Sequence, residues 1–144
     1  MKAILKPWML VVVLLSLSPV RLWAQAKSEI IHLTEAEFKK KVHNFDQNKQ
    51  WKYLGSKPAI IDFYADWCAP CRKLSPILSQ IAGKRSDIVI YKINVDEEEA
   101  LAKYFKVTNI PMLLFIPVKG ETYTSVGLLT EDEITNLIRT KLKK

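Results

Sequence analysis

The sequence predicts an α/β protein: a central, mixed and mostly parallel β-sheet with helices on both faces, ending in an antiparallel hairpin and a last helix. Three observations carry this. Ala59 to Ala65 and Ile88 to Val95 are near-continuous apolar runs, as strands buried on both faces should be. Thr34 with Glu37, and Thr130 with Glu133, are capping boxes that mark two helix starts. The elements follow the order βαβαβαββα, which implies a mostly parallel sheet with helices on both faces, ending in an antiparallel hairpin.

Each element has its own signal. Glu29 to Leu33 reads as a short strand, and the helix after Thr34 has Phe38 and Val42 among its apolar positions. From Asn44 to Pro58 the pattern weakens: Trp51, Tyr53 and Leu54 fit a further helical turn, before the loop residues Gly55-Ser56-Lys57-Pro58. After the strand 59–65 a helix runs to about Ala82 with Leu74, Ile77, Leu78 and Ile81 apolar, and Pro76 should kink it. Glu97-Glu98-Glu99 follows the strand 88–95 and opens a helix through Phe105, with acids where the helix dipole favours them. That charge run reads as a solvated helix start. Met112 to Ile116 and Thr122 to Val126, joined by the turn Lys119-Gly120, form the hairpin. The terminal helix presents Ile134, Leu137, Ile138 and Leu142 on one face.

Residues 1–26 read as a cleaved secretory leader and 27–144 as one domain. Lys2 and Lys6 precede an apolar stretch from Trp8 to Leu17, Pro19 breaks it, and Ala24-Gln25-Ala26 is an A-x-A cleavage site. The rival reading is a retained anchor, but about ten apolar residues fall short of the roughly twenty needed to span a bilayer. No stable membrane insertion is therefore expected after cleavage. No cysteine precedes Cys68, which excludes lipid attachment through a cysteine at the cleavage site. Loss of Lys2, Lys6 and Arg21, with no acid, takes the net charge from +7 to +4. That balance, without basic stretches interleaved with aromatics, argues against nucleic-acid binding.

The cysteine inventory is Cys68 and Cys71, within Trp67-Cys68-Ala69-Pro70-Cys71. A bridge at this spacing closes so small a loop that it stabilises little, so the pair points to chemistry. Structural zinc wants four ligands, and only His32 and His43 could join the cysteines; a metal site is not expected. A purely structural disulfide remains the other bland reading. Cys68 falls where a strand gives way to a helix, where free N–H groups and the positive dipole end favour thiolate. Cys71, one turn on, should point inward with a higher pKa. The asymmetry makes Cys68 the attacking thiol and Cys71 the resolving one. Pro70 loses no hydrogen bond near the first turn.

Asp62 interrupts its apolar strand on the face shared by Ile60 and Tyr64, and Lys92 interrupts the next strand in the same way. Neighbouring parallel strands would bring them together. Asp62 is then either a proton acceptor for Cys71, tuned by Lys92, or half of a structural ion pair or an exposed strand end. Ile110-Pro111, just before a strand, is either loop punctuation or a cis peptide that frees backbone groups to pair with an extended substrate.

The motifs Ile30-Ile31-His32-Leu33-Thr34, Asp62-Phe63-Tyr64-Ala65-Asp66-Trp67-Cys68-Ala69-Pro70-Cys71, Pro76-Ile77-Leu78, Lys92-Ile93-Asn94-Val95-Asp96, Ile110-Pro111 and Val126-Gly127 resemble the thioredoxin family in order and spacing. The resemblance covers nearly the whole chain after the leader. It implies a thioredoxin fold and thiol-disulfide oxidoreductase activity without a cofactor. It also implies a nucleophile at Cys68, a resolving thiol at Cys71, a buried acid at Asp62 and a cis-proline at Pro111. Trp67, Ile110 and Gly127, beside Ala69 and Pro70, would belong to an apolar surface that docks substrate, the alternative being plain packing or turn geometry. Four departures stand out: Ala69 where glycine is usual, Tyr64 where tryptophan is frequent, Met112 where threonine is common, and a segment 44–57 about ten residues longer than usual. Met112 would alter the apolar rim beside the sulfurs; Trp51 and Tyr53 would pack, or else form a partner surface.

The Ala-Pro dipeptide is nearer the reducing pattern than the histidine-containing one of strong oxidants. The expectation is an exported, periplasmic-type monomeric reductase of protein disulfides, supplied with electrons by a membrane thiol shuttle. The alternatives are a disulfide-donating oxidase, a cytochrome c maturation reductase and a non-catalytic binding module. Cys71 to Pro111 spans 40 residues, without the insertion usual in the cytochrome-specific relatives.

Overall fold

The computed structural model describes residues 30–142. Residues 1–29, which include the segment expected to be a leader, and the last two lysines lie outside the described residues. The elements are β1 (Ile30–His32), α1 (Glu35–Lys41), β2 (Ala59–Tyr64), α2 (Ala69–Lys84), β3 (Val89–Asn94), α3 (Glu99–Tyr104), β4 (Met112–Ile116), β5 (Tyr123–Val126) and α4 (Glu131–Leu137). A π-helical last turn, Ile138–Leu142, continues α4. The order is the predicted one, with ends shifted by a residue or two.

Both capping boxes form. The Thr34 hydroxyl accepts from Glu37 N, and the Glu37 carboxylate accepts in return from Thr34 N; Thr130 and Glu133 repeat the arrangement. One of the three glutamates does more than a solvated helix start would. The Glu98 carboxylate accepts from Glu35 N at 2.8 Å, which ties the start of α3 to the start of α1.

Among the described residues the sheet has five strands in the order β1-β3-β2-β4-β5. The pairings β1–β3 and β3–β2 are parallel, while β2–β4 and β4–β5 are antiparallel. The mixed sheet thus reverses once more than the hairpin alone requires, since β4 runs against all its companions. That reversal positions the site. Met112, the first residue of β4, lies opposite Phe63 near the end of β2. The segment leaving β2 and the segment entering β4 therefore meet at one end of the sheet.

The core has two main layers. Ile61, Phe63, Ile93 and Leu114 pack against Phe38, Val42 and Leu101 from α1 and α3. Ile60, Ile90, Leu113 and Phe115 pack against Leu74, Leu78 and Ile81 of α2 and Ile134, Ile138 and Leu142 at the C-terminus. The period-two alternation in β2 sorts its side chains between the layers, so Asp62 falls on the α2 side with Ile60. Pro76 is accommodated inside α2, which runs on to Lys84.

Two expectations need correcting. Residues 51–54 form no helical turn. Trp51 and Tyr53 pack against the α1/α3 layer from an extended segment, tethered by Lys52 N donating to His43 Nδ1 at 3.2 Å. Met112 is buried in that same layer, 5% exposed, and does not form a rim beside the sulfurs.

Candidate active site

Cys68 is the N-cap of α2, with extended backbone at φ −76° and ψ 104°. Its own N–H donates to Ala65 O, which closes the turn after β2, and its carbonyl accepts from Arg72 N. Its sulfur accepts from Cys71 N at 3.2 Å. Polar groups at a helix N-terminus favour negative charge, so this is where a thiolate is best stabilised. Pro70 in the first turn withdraws no needed donor. The two sulfurs are joined as a disulfide with Cα atoms 5.3 Å apart. The predicted difference in depth is not seen in this closed form: Cys68 and Cys71 are each 2% exposed. The hydrogen bond at the helix terminus, not burial, distinguishes them. Ala69 and Pro70 between them are exposed.

Asp62 and Lys92 are register partners on β2 and β3. Asp62 is fully buried, and neither carboxylate oxygen has a hydrogen-bond partner. Its one compensation is Lys92 Nζ, 3.5 Å from Oδ2. Burial pushes the carboxyl up from 3.8 to about 6, with the Lys92 charge pulling the other way. Lys92 Nζ also donates to Ser75 Oγ at 3.1 Å and lies 4.2 Å above the Tyr64 ring. A cleft of about 370 Å³ runs over this cluster, lined by Tyr64, Asp66, Cys71, Arg72, Ser75 and Lys92. Cys71 and the ammonium beside Asp62 thus share one cleft.

Trp67 is 68% exposed, its indole fixed by Nε1 donating to Asp96 Oδ2 at 2.8 Å. Ile110 packs on the cluster of Ala65, Cys68 and Cys71. The Ile110–Pro111 peptide is cis. Pro111 O accepts from Gly127 N at 2.8 Å, and Gly127 has φ +104°, between the exposed Val126 and Leu128. The structure therefore gathers Ile110, Pro111 and the cysteines, and ties Gly127 to them through one hydrogen bond. The two histidines lie apart. His32 Nδ1 is 3.3 Å from the Tyr64 hydroxyl, and His43 is buried against Trp51. Among the described residues no three His, Cys, Asp or Glu side chains could hold a metal ion. Sequence reasoning missed Ser75, although its place four residues after Cys71 puts the two on one helix face.

The thioredoxin family model matches residues 29–140. A thioredoxin of Borreliella burgdorferi is 44% identical over 110 residues, covering 76% of this chain and 94% of the relative. One of Haemophilus influenzae is 34% identical over 112 residues, covering 77% and 95%. A mutant thioredoxin from Halobacterium salinarum NRC-1 superposes with a TM-score of 0.65 at 28% identity, over 82% of this chain and 95% of that one. A chloroplastic thioredoxin z, TM-score 0.65 and 22% identical, covers 77% and 92% and shares the fold. A strand-to-helix dithiol, a cis-proline beside it and relatives of this closeness agree: the chain belongs to the thioredoxin family and is a thiol-disulfide oxidoreductase with Cys68–Cys71 as its redox pair.

Proposed function

We propose that the protein is an exported thioredoxin that reduces disulfides of other proteins. In the reduced enzyme, the Cys68 thiolate attacks one sulfur of a substrate disulfide, forming a mixed disulfide and releasing the other substrate sulfur as a thiolate. Cys71 then loses its proton and attacks Cys68 Sγ. The second substrate sulfur leaves, and the Cys68–Cys71 bridge is restored. Two electrons pass to the substrate, and the Cys71 proton goes to Asp62 through water in the shared cleft. Lys92 steadies the carboxylate as it waits. Trp67, Ile110, Pro111 and Gly127, with Ala69 and Pro70, form the edge on which an extended substrate lies.

The observation that carries this reading is the Cys68 sulfur at the α2 terminus, accepting from Cys71 N, with a buried carboxylate behind it. Reduction rather than oxidation is supported by the Ala-Pro dipeptide and by the neighbouring cation: Arg72 turns its guanidinium to Asp66 O at 2.9 Å. A less stabilised thiolate makes a weaker oxidant. The segment 1–26 supports export, hence a periplasmic-type location and a membrane thiol shuttle as electron donor.

Equilibration with glutathione tests the direction. A potential near about −270 mV fits a reductase, and one near about −120 mV overturns it. Cys71→Ser should trap substrates on Cys68 as mixed disulfides, detectable by mass spectrometry, whereas Cys68→Ser should trap none and lose insulin reduction. An N-terminus at Lys27 on protein recovered from the periplasm would support export; full-length cytoplasmic protein would oppose it.

A further inference from the structure

The Lys92 ammonium is oddly shared. Its hydrogen bond goes to a neutral hydroxyl, Ser75 Oγ at 3.1 Å, while the charged oxygen of Asp62 stands at 3.5 Å. A bond to the carboxylate would close to about 2.8 Å and join two opposite charges, where the bond to Ser75 joins a charge to a hydroxyl dipole. Something holds the cation back. Two groups lie on the side of the cleft: the Ser75 hydroxyl from α2 and the face of the Tyr64 ring, 4.2 Å from Nζ.

We propose that Ser75 is a positioning residue that, with the Tyr64 ring, draws the Lys92 ammonium toward the Cys71 cleft and keeps it from closing on Asp62. The buried carboxylate is left with both oxygens short of hydrogen bonds, able to take a proton at the moment Cys71 gives one up. The functional meaning rests on Asp62 as proton acceptor; the placement of the cation does not. The charged or titratable groups around Lys92 are Asp62 and Tyr64 from β2, its register partner His32 from β1, and Asp66 and Arg72 along the cleft. Among these, only Asp62 forms an ion pair with the ammonium among the described residues.

The test is the Asp62 titration, followed by the carbon-13 shift of its carboxyl carbon in the oxidised protein. In Ser75→Ala the midpoint should fall by up to about one pH unit, the change expected when the pair closes from 3.5 Å to hydrogen-bond contact at an effective dielectric of about 20. Ser75→Thr, which keeps the hydroxyl, should restore most of it. In a Lys92→Met background, Ser75→Ala should no longer move the midpoint, which a merely structural effect of the serine would not achieve. An unchanged midpoint in Ser75→Ala, or an equal fall without Lys92, overturns the proposal. The acid limb of the single-turnover rate of insulin reduction should move down with the titration. If Asp62→Asn leaves that rate profile unaltered, the proton-acceptor reading fails, while the titration still decides whether Ser75 places the cation.

Discussion

Replacing Asp62 by asparagine should make the protein more stable at neutral pH. The side chain is fully buried, its oxygens lack hydrogen bonds, and its lysine stands at ion-pair distance. In the unfolded chain the carboxyl ionises at 3.8 and in the folded protein at about 6. The folded state therefore holds the proton more tightly, so stability falls as pH rises through this window. Above the folded value the full cost applies, about 3 kcal/mol at roughly 1.36 kcal/mol per pKa unit. Below the unfolded value both states are protonated and the cost vanishes. Asparagine has the shape of the protonated acid and leaves the Lys92 cation facing a neutral partner at every pH. Urea unfolding followed by circular dichroism should thus show the variant more stable by about 3 kcal/mol at pH 8, and by less than about 1 kcal/mol at pH 4. A difference between the two pH values below about 1 kcal/mol would refute the reasoning, because a carboxylate that loses its water must show the linkage. Retention of a group so costly agrees with its use in proton transfer.

Two further outcomes concern the docking edge. Trp67→Ala should lower kcat/KM for insulin about tenfold, the loss of one aromatic anchor, and hardly affect a small disulfide such as oxidised glutathione. Stability should change by less than about 1 kcal/mol because the indole is already exposed; equal losses on both substrates would mean that the indole acts on the sulfurs rather than on docking. Gly127→Ala meets no atom within 4 Å, so its cost is conformational, from φ +104°. Chemical denaturation should show a loss of about 1–2 kcal/mol, and no loss would mean that the backbone there relaxes freely.

What was legible in the sequence was what local chemistry decides. The capping boxes at Thr34 and Thr130 each need residues three apart and nothing else, and they formed as read. Asp62 and Lys92 stood out because a charge inside an apolar strand demands a partner, and parallel register supplied one. Strand direction is different. Nothing in Met112 to Ile116 says which way it runs, so its reversal beside β2 is settled only when α3 returns the chain to the same end of the sheet. Trp51, Tyr53 and Leu54 imitated a helical face by spacing alone, while the contacts that hold the first two come from His43 and the α1/α3 layer. Ser75 was missed as a site residue: its spacing from Cys71 put it on the right helix face, but its hydrogen-bond partner lies on another element, seventeen positions away.

The two tryptophans among the described residues, Trp51 and Trp67, occupy opposite kinds of surroundings. One is packed with His43 and Phe105 in an aromatic cluster; the other stands in solvent, next in sequence to Cys68 of the disulfide, a group that quenches excited indoles at contact. The described part of the molecule therefore carries two built-in optical probes with separate duties. Emission from Trp67 should brighten when the bridge opens, and emission from Trp51 should shift red only when the fold comes apart. Single-tryptophan variants would let redox state and folding be watched in the same solution without a label.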